Sequence, residues 1–456
     1  MELRLSFGPK GRKRQMSNMR QLIYLFFIGL LLSAGNAHAE RLKLVVEGAN
    51  FRPYPIGVPD IRVVSTPDDA SKKTAQELTT ILKTAVDLVR PLELVDPASY
   101  LNPEKESLVQ PKYKNWLAVG ASGLIRAGIQ INGSQVQLTM RLYDVVCQRQ
   151  LLMRDYQEDK TTASRALYRF LDEVIKALTG EQGIFSSKLA YVKQTKDGKA
   201  IYTSEIDGRN ERRITDPASL SLLPAWSRDG KSLLFTSYLR ENPDLYRLNL
   251  ISKKLDWLSH KRGLNTGAAV SPDGKKIALT LSMDGNTEIY VMDNDGKNLT
   301  RLTDSWGQDV SPTWSPDGKK IAFVSSRSGN PHIYVMNADG SNPKRLSFRG
   351  NYNQEPDWSP RADGKIVFTA RDERLRYDIF LVDPKDGEMQ RLTQDQGDNE
   401  SPAFSPDGHH IVFTSTRPPQ YGKKIYVMDV DGLNQRRISR RSGTYETPAW
   451  SPRLGY

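Results

Sequence analysis

Residues 312–347 read PTWSPDGKKIAFVSSRSGNPHIYVMNADGSNPKRLS, and the pattern of apolar and polar positions divides them cleanly. KIAFVSS and HIYVMN alternate and are rich in β-branched and aromatic residues, which predicts strands. Between them stand turn sequences: Ser-Pro-Asp-Gly, Arg-Ser-Gly-Asn and Ala-Asp-Gly-Ser-Asn. Pro316 presets the backbone of the first turn, and Gly318 takes the position that needs a positive φ. The closing PKRLS predicts a short outer strand, whose Lys344 and Arg345 suit an exposed sheet edge.

The unit recurs. Its anchor serines are Ser227, Ser271, Ser315, Ser359, Ser405 and Ser451, spaced 44, 44, 44, 46 and 46 residues apart. A period in the low forties built of strands predicts β-propeller blades. Trp226, Trp314, Trp358, Phe404 and Trp450 share one register, where rings would fill the wedge between blades. Arg228 replaces the Pro, Val270 the aromatic, and Arg361-Ala362 is inserted before Asp363. The segment 188–216 supplies three strands with no preceding turn, and PAWSPRLGY at the C-terminus supplies a turn with nothing after it. Together they complete one blade. The expectation is a six-bladed β-propeller over 188–456, closed by its C-terminal strand.

Residues 40–180 have another texture and predict an N-terminal α/β domain, joined by a linker at 181–187. ERLKLVVEGA alternates as a strand. Asp68 or Asp69 is a candidate N-cap for a helix, Asn132-Gly133 a hairpin turn among three strands, and Gly180 the end of an amphipathic helix. VGASG at 119–123 lacks the spacing and the following helix of a nucleotide loop. Ahead of this domain, basic residues from Lys10 to Arg20 precede the apolar LIYLFFIGLLLSAG and the small-x-small AHA. That order predicts a secretory signal peptide over 1–39, cut between Ala39 and Glu40, with Met1, Met16 or Met19 as the start.

Composition narrows the function classes. The net charge is +12; the predicted leader holds six Lys/Arg and one Glu, so its removal leaves +7, too mild to argue for nucleic acid. No later apolar run is long enough to span a membrane. The single cysteine, Cys147, excludes an internal disulfide and reads as a small hydrophobe buried in a strand. Four histidines remain past the leader: His260, His332, His409 and His410. The adjacent pair would point to opposite faces of a strand, and each reads as a surface or turn residue. No nucleophile elbow, zinc-helix motif or cysteine pair is present, so no catalytic residue, metal or cofactor is expected. The repeated Asp of the turn reads as a turn residue rather than a calcium ligand.

Four to six residues before each anchor serine the blades stop resembling one another. Ser221-Leu222-Leu223, Asn265-Thr266-Gly267, Asp309-Val310-Ser311, Asn353-Gln354-Glu355, Asn399-Glu400-Ser401 and Tyr445-Glu446-Thr447 would ring the central channel. With Asp309, Glu355, Glu400 and Glu446 in the ring, and Asp398 beside it, the expectation is an acidic, amide-bearing mouth suited to a polypeptide with basic or amide groups.

The leader, the α/β domain and six WSPDG blades in this order resemble the TolB family, the periplasmic propeller proteins of the Tol-Pal system. RPYPIGVPDI at 52–61 is similar to the family's early RPIGV segment, with two extra residues after Arg52. The resemblance covers the mature chain and implies a monomeric, non-enzymatic scaffold in envelope integrity and cell division. It implies that the propeller mouth binds the lipoprotein Pal, a surface some bacteriocins exploit, and that the N-terminus contacts the inner-membrane protein TolA. Carried over, the Pal-binding set is Leu264, Asn265, Thr266, Gly267, Asp309, Val310, Asn353, Gln354, Glu355, Asn399, Glu400, Tyr445 and Glu446. Leu264, Gly267 and Val310 stand at the family's partner-sensitive loop positions. The TolA-binding set is Glu40, Arg41, Leu42, Lys43, Leu44 and Val45. The alternatives are a secreted propeller hydrolase or lyase and a glycan-binding module.

Overall fold

A computed structural model describes residues 52–64, 68–371, 373–419 and 422–455. The leader, its cleavage site at Ala39 and Glu40, and the segment Glu40 to Val45 lie outside the described residues.

The first domain runs β1 (Tyr54–Gly57), β2 (Arg62–Val63), α1 (Asp69–Leu88), β3 (Leu92–Leu94), α2 (Tyr113–Ala118), β4 (Gly123–Asn132), β5 (Gln135–Asp144), β6 (Arg149–Asp159) and α3 (Ala163–Thr179). The sheet order is β3-β1-β4-β5-β6, with β2 beside β4. β1 is parallel to β3 and β4, and β4 to β6 form an antiparallel meander. The apolar stretch GLIRAGI of β4 is buried throughout, as a central strand requires. Asp68 caps α1 by accepting the Ser71 N–H at 2.6 Å, and Gly180 ends α3 at φ 83°.

One expectation is corrected here. Cys147 is exposed, in the turn between β5 and β6, where its N–H donates to Asp144 at 2.9 Å. The segment 181–187 is packed, with Ile184, Phe185 and Ser187 buried. The buried Asp172 of α3 accepts the N–H groups of Phe185 and Ser186 at 2.8 and 2.9 Å. These bonds hold the connection against the domain.

The remaining chain forms six four-stranded antiparallel sheets. Blades 1 to 5 are continuous, spanning 221–259, 265–301, 309–345, 353–391 and 399–437. Blade 6 is composite: Thr444–Trp450 pairs antiparallel with Lys188–Thr195, which continues into Gly198–Glu205 and Arg212–Arg213. Outermost strands are brief and charged, as at Lys344–Arg345 and Arg436–Arg437, so little bare edge is offered to another sheet.

Each turn is built as its composition demands. The Gly318 N–H donates to Ser315 O at 2.9 Å, and Asp317 accepts from Ser315 Oγ at 2.6 Å and Lys319 N at 3.0 Å. Asp273 and Asp229 repeat the bonds. The wedge rings are buried between blades, and Trp314 donates its indole N–H to Ala269 O of the preceding blade at 3.0 Å.

The first domain meets this turn end of the propeller at blades 5 and 6. Arg90 pairs with Asp431 at 2.6 Å, Arg436 with Asp87 at 2.6 Å, and Tyr168 donates to Asp207 at 3.1 Å. The adjacent histidines belong here: His409 ends the turn and His410 opens the next strand, and both are buried rather than on the surface. His409 lies 3.0 Å from Glu181. His410 sits between Asp407 and Asp429 at 3.6 and 3.8 Å. Burial alone would lower the His410 pKa; the two carboxylates reverse that and raise it.

Candidate binding mouth of the propeller

The opposite end of the strands, where chain enters each innermost strand, carries the ring of unlike residues. Three registers within that ring have three fates.

The residue six before each anchor serine is fully buried: Ser221, Asn265, Asp309, Asn353, Asn399 and Tyr445 are all at 0 % exposure. The three asparagines fasten their inner strands to the blade before. Asn265 donates to Lys261 O and Gly263 O at 2.7 and 3.1 Å and accepts from Ser259 Oγ and Lys261 N at 2.6 and 2.8 Å. Asn353 bonds Ser347 Oγ, Arg349 O and the His332 ring. Asn399 donates to Asp378 and Gly397 O. The Tyr445 hydroxyl donates to Arg441 O at 3.0 Å. Asn265, Asn353 and Asn399 thus act as inter-blade clasps.

Four before each anchor serine the backbone is left-handed. Leu223, Gly267, Ser311, Glu355, Ser401 and Thr447 have φ of 52, 63, 55, 55, 53 and 45°. In every blade the inner strand bulges at this point. Such a conformation strains any residue but glycine. Gly267 is therefore the relaxed member of a sixfold backbone feature.

Between these registers lie Leu222, Thr266, Val310, Gln354, Glu400 and Glu446, half-buried at the rim. Here the expected bare acidity is corrected. Glu400 pairs with Lys423 at 2.6 Å and Glu446 with Lys199 at 2.7 Å. Asp309 takes Arg327 at 2.6 Å, and Asp398 takes Arg376 at 3.5 Å. Glu355 accepts Thr369 Oγ1, Ser401 N and Ser401 Oγ at 2.8 to 2.9 Å, which joins blade 4 to blade 5. Arg327, Arg376 and Lys423 come from loops between second and third strands, 18 to 23 positions from their acids, and Lys199, at the start of the third strand of the composite blade, is 247 positions from Glu446, so spacing could not pair them.

The mouth also carries an exposed apolar set, in which Leu223 and Leu264 of the expected residues are joined by Leu220, Leu239 and Trp306, which the repeat did not announce. Trp306 is 78 % exposed, Leu239 53 %, Leu223 39 %, Leu220 37 % and Leu264 37 %. All sit on the loops and inner-strand starts of blades 1 to 3 at the mouth. Trp306 carried a legible signal: it stands in DSWGQD, out of register with the wedge tryptophans.

Below the mouth the six inner strands enclose a channel of about 570 Å³. Two departures from the repeat face it: Arg228, in place of proline, and Asp357, where blades 1, 2, 5 and 6 have alanine. Burial pushes the Asp357 carboxyl up to about 6, against the pull of the Phe404 N–H and the Arg228 guanidinium. Among the described residues no group of three or more His, Cys, Asp or Glu side chains could hold a metal ion. Among them also, no helix is long and apolar enough to cross a membrane.

The description "TolB beta propeller domain" matches residues 175–454, and "TolB amino-terminal domain" matches 42–151. The chain belongs to the TolB family. A Tol-Pal system protein TolB from Desulfosudis oleivorans is 39% identical over 214 residues, 46% of this chain and 48% of that one. Another, from Nitrosomonas europaea, is 30% identical over 249 residues, 54% of this chain and 56% of that one. The matched stretch thus spans about half the length of these curated relatives. The crystal structure of TolB from Acinetobacter baumannii superposes with a TM-score of 0.76 at 26% identity, covering 88% of this chain and 96% of that chain.

Proposed function

We propose that this chain is a periplasmic, non-enzymatic scaffold of the Tol-Pal system whose propeller mouth grips a protein partner, the lipoprotein Pal. The observation that carries the reading is the exposed apolar arc of Leu220, Leu223, Leu239, Leu264 and Trp306 on an otherwise repeated framework. Clustered aromatic and aliphatic side chains at a concave mouth are the usual anchors of a protein interface. The clasps behind the rim keep this surface in one shape, which lowers the ordering cost of binding. Val310, Thr266, Gln354, Glu400 and Glu446 then form the polar part of the footprint. Segment Glu40 to Val45, freed by cleavage after Ala39, is the TolA contact in this reading; deleting 40–50 would abolish TolA binding and leave Pal binding intact. Envelope integrity, cell division and bacteriocin entry follow from those two contacts.

The test is calorimetry between the mature chain and the soluble domain of Pal. Leu264→Glu with Trp306→Ala is expected to weaken binding by tenfold or more. Unchanged affinity in that variant would remove the mouth from the interface. Turnover of a glycan or peptide by the purified chain would favour the hydrolase alternative instead.

A further inference from the structure

One seam of the propeller is open. In most blades the glycine of the turn between third and fourth strands presses against the preceding blade. A Cβ on Gly296, Gly340, Gly432 or Gly208 would come within 2.8, 2.5, 2.7 and 2.0 Å of the carbonyl oxygen of Leu258, Leu302, Leu392 and Ile438. At Gly387 of blade 4 the distance to Leu346 O is 3.9 Å. The cause is in the sequence. The blade 4 turn, Asp383-Pro384-Lys385-Asp386-Gly387, closes with Gly387 N donating to Asp383 O, one residue wider than the turn of blade 3, where Gly340 N donates to Asn337 O.

The gap is a cleft of about 530 Å³ along the outer flank of blade 3. Lys320, Lys344 and Lys385 line it, with Arg345. The ammonium groups of the three lysines have no ion pair or hydrogen bond among the described residues. Arg345 is engaged, donating to Ser347 O at 2.8 Å and lying 5.0 Å over the Phe348 ring. Asp386 is the single acid of the lining. Val335 and the exposed Phe348 supply an apolar wall. The lining runs from Asn342 to Phe348, up to about 20 Å of extended chain. A compact anion would meet one end of such a cleft; an extended chain can meet several of the lysines and the apolar wall together.

We propose that the seam between blades 3 and 4 is a second docking site, for an acidic peptide segment of a partner protein whose carboxylates meet Lys320, Lys344 and Lys385 while an apolar side chain rests on Phe348 and Val335. Charge complementarity selects the occupant, and the site is independent of the mouth.

The probe is a labelled peptide of about nine residues, Glu-rich with interspersed Leu, long enough to span the cleft. Its binding to the mature chain is followed by fluorescence anisotropy at moderate salt. Lys344→Glu with Lys385→Glu is expected to weaken binding tenfold or more. Lys253→Glu, an equal charge change on an exposed blade 1 turn, is expected to change it less than twofold. A peptide with Gln for Glu is expected not to bind, and Phe348→Ala to weaken the acidic peptide severalfold. Equal losses in the Lys253 and cleft variants would mean non-specific attraction to a basic protein and would overturn the site. So would absence of binding, or binding of inorganic tripolyphosphate in preference to the peptide. Because Leu264→Glu with Trp306→Ala leaves the cleft intact, that variant is expected to bind the peptide as the native chain does.

Discussion

The two halves of the mouth are made from the same repeat and do opposite things with it. Over blades 1 to 3 the loops expose leucines and Trp306, which nothing in the chain covers among the described residues. Over blades 4 to 6 Leu375 is an exposed leucine, and the acids of the rim are answered: Glu400 by Lys423, Glu446 by Lys199, Asp398 by Arg376. Satisfied charges keep their water and their partners and gain little from a new neighbour. Exposed apolar side chains gain on being covered, at roughly 25 cal/mol per Å². One half is therefore suited to supply affinity and the other to set register and reject wrong partners. A residue's contribution cannot be inferred from whether it is charged; what matters is whether its interactions are already complete.

The sharpest way to break this contrast is at the clasps beneath the apolar half. Asn265→Ala would strand the Lys261 N–H and two carbonyls, and a loss of about 3 kcal/mol in unfolding free energy is expected from denaturant titration. The folded fraction should still bind partner, which separates the clasp from the contact surface. A loss of binding with unchanged stability would restore Asn265 to the footprint.

The channel beneath both halves offers a pH test. Asp357 has a folded pKa of about 6, above the unfolded carboxylate range near 4. Its protonated form is favoured by folding, so the stability it contributes is fully present below about pH 4 and is lost as pH rises through about 6. Asp357→Asn should remove roughly 2 kcal/mol of that slope, seen as a melting temperature that varies less between pH 4 and 7 than in the native chain. An identical pH profile would mean that water in the channel keeps the group ordinary.

Gly267→Ala probes the boundary between backbone and contact. A Cβ there would meet nothing closer than 3.6 Å, so the cost is the left-handed backbone alone, about 1 kcal/mol. Partner binding should be retained; a tenfold loss with intact stability would show direct contact at that position.

The smallest effect belongs to the charged rim. Exchanging Glu400 and Lys423 as a pair should alter stability by less than about 1 kcal/mol, since both groups are partly solvated. Neutralising both should weaken partner binding far less than loss of Trp306. The reverse ranking would invert the assignment of the two halves.

Legibility followed distance along the chain. The blades were readable because each strand, turn and wedge ring depends on residues within one 44-residue unit: Pro316, Gly318 and Trp314 announce their own geometry. The mouth was only half readable. Position in the repeat places the ring at one end of the strands, yet Asn353 is a clasp because His332 and Ser347 reach it, and Asp309 is paired because Arg327 does. His409 is met by Glu181 of the connection, and His410 by Asp407 and Asp429 of its own blade, contacts that local pattern does not announce. Cys147 was misplaced because the hairpin between β5 and β6 turns before it.

Local spacing and composition alone determined that this chain builds an α/β domain and then six sheets of one design, since turn chemistry and strand alternation act over a few residues. Which side chains on those sheets are left wanting a partner was decided only when the ring closed. Closing brings together groups from neighbouring blades and loops, and the free energy of a polar or apolar surface depends on what finally lies against it.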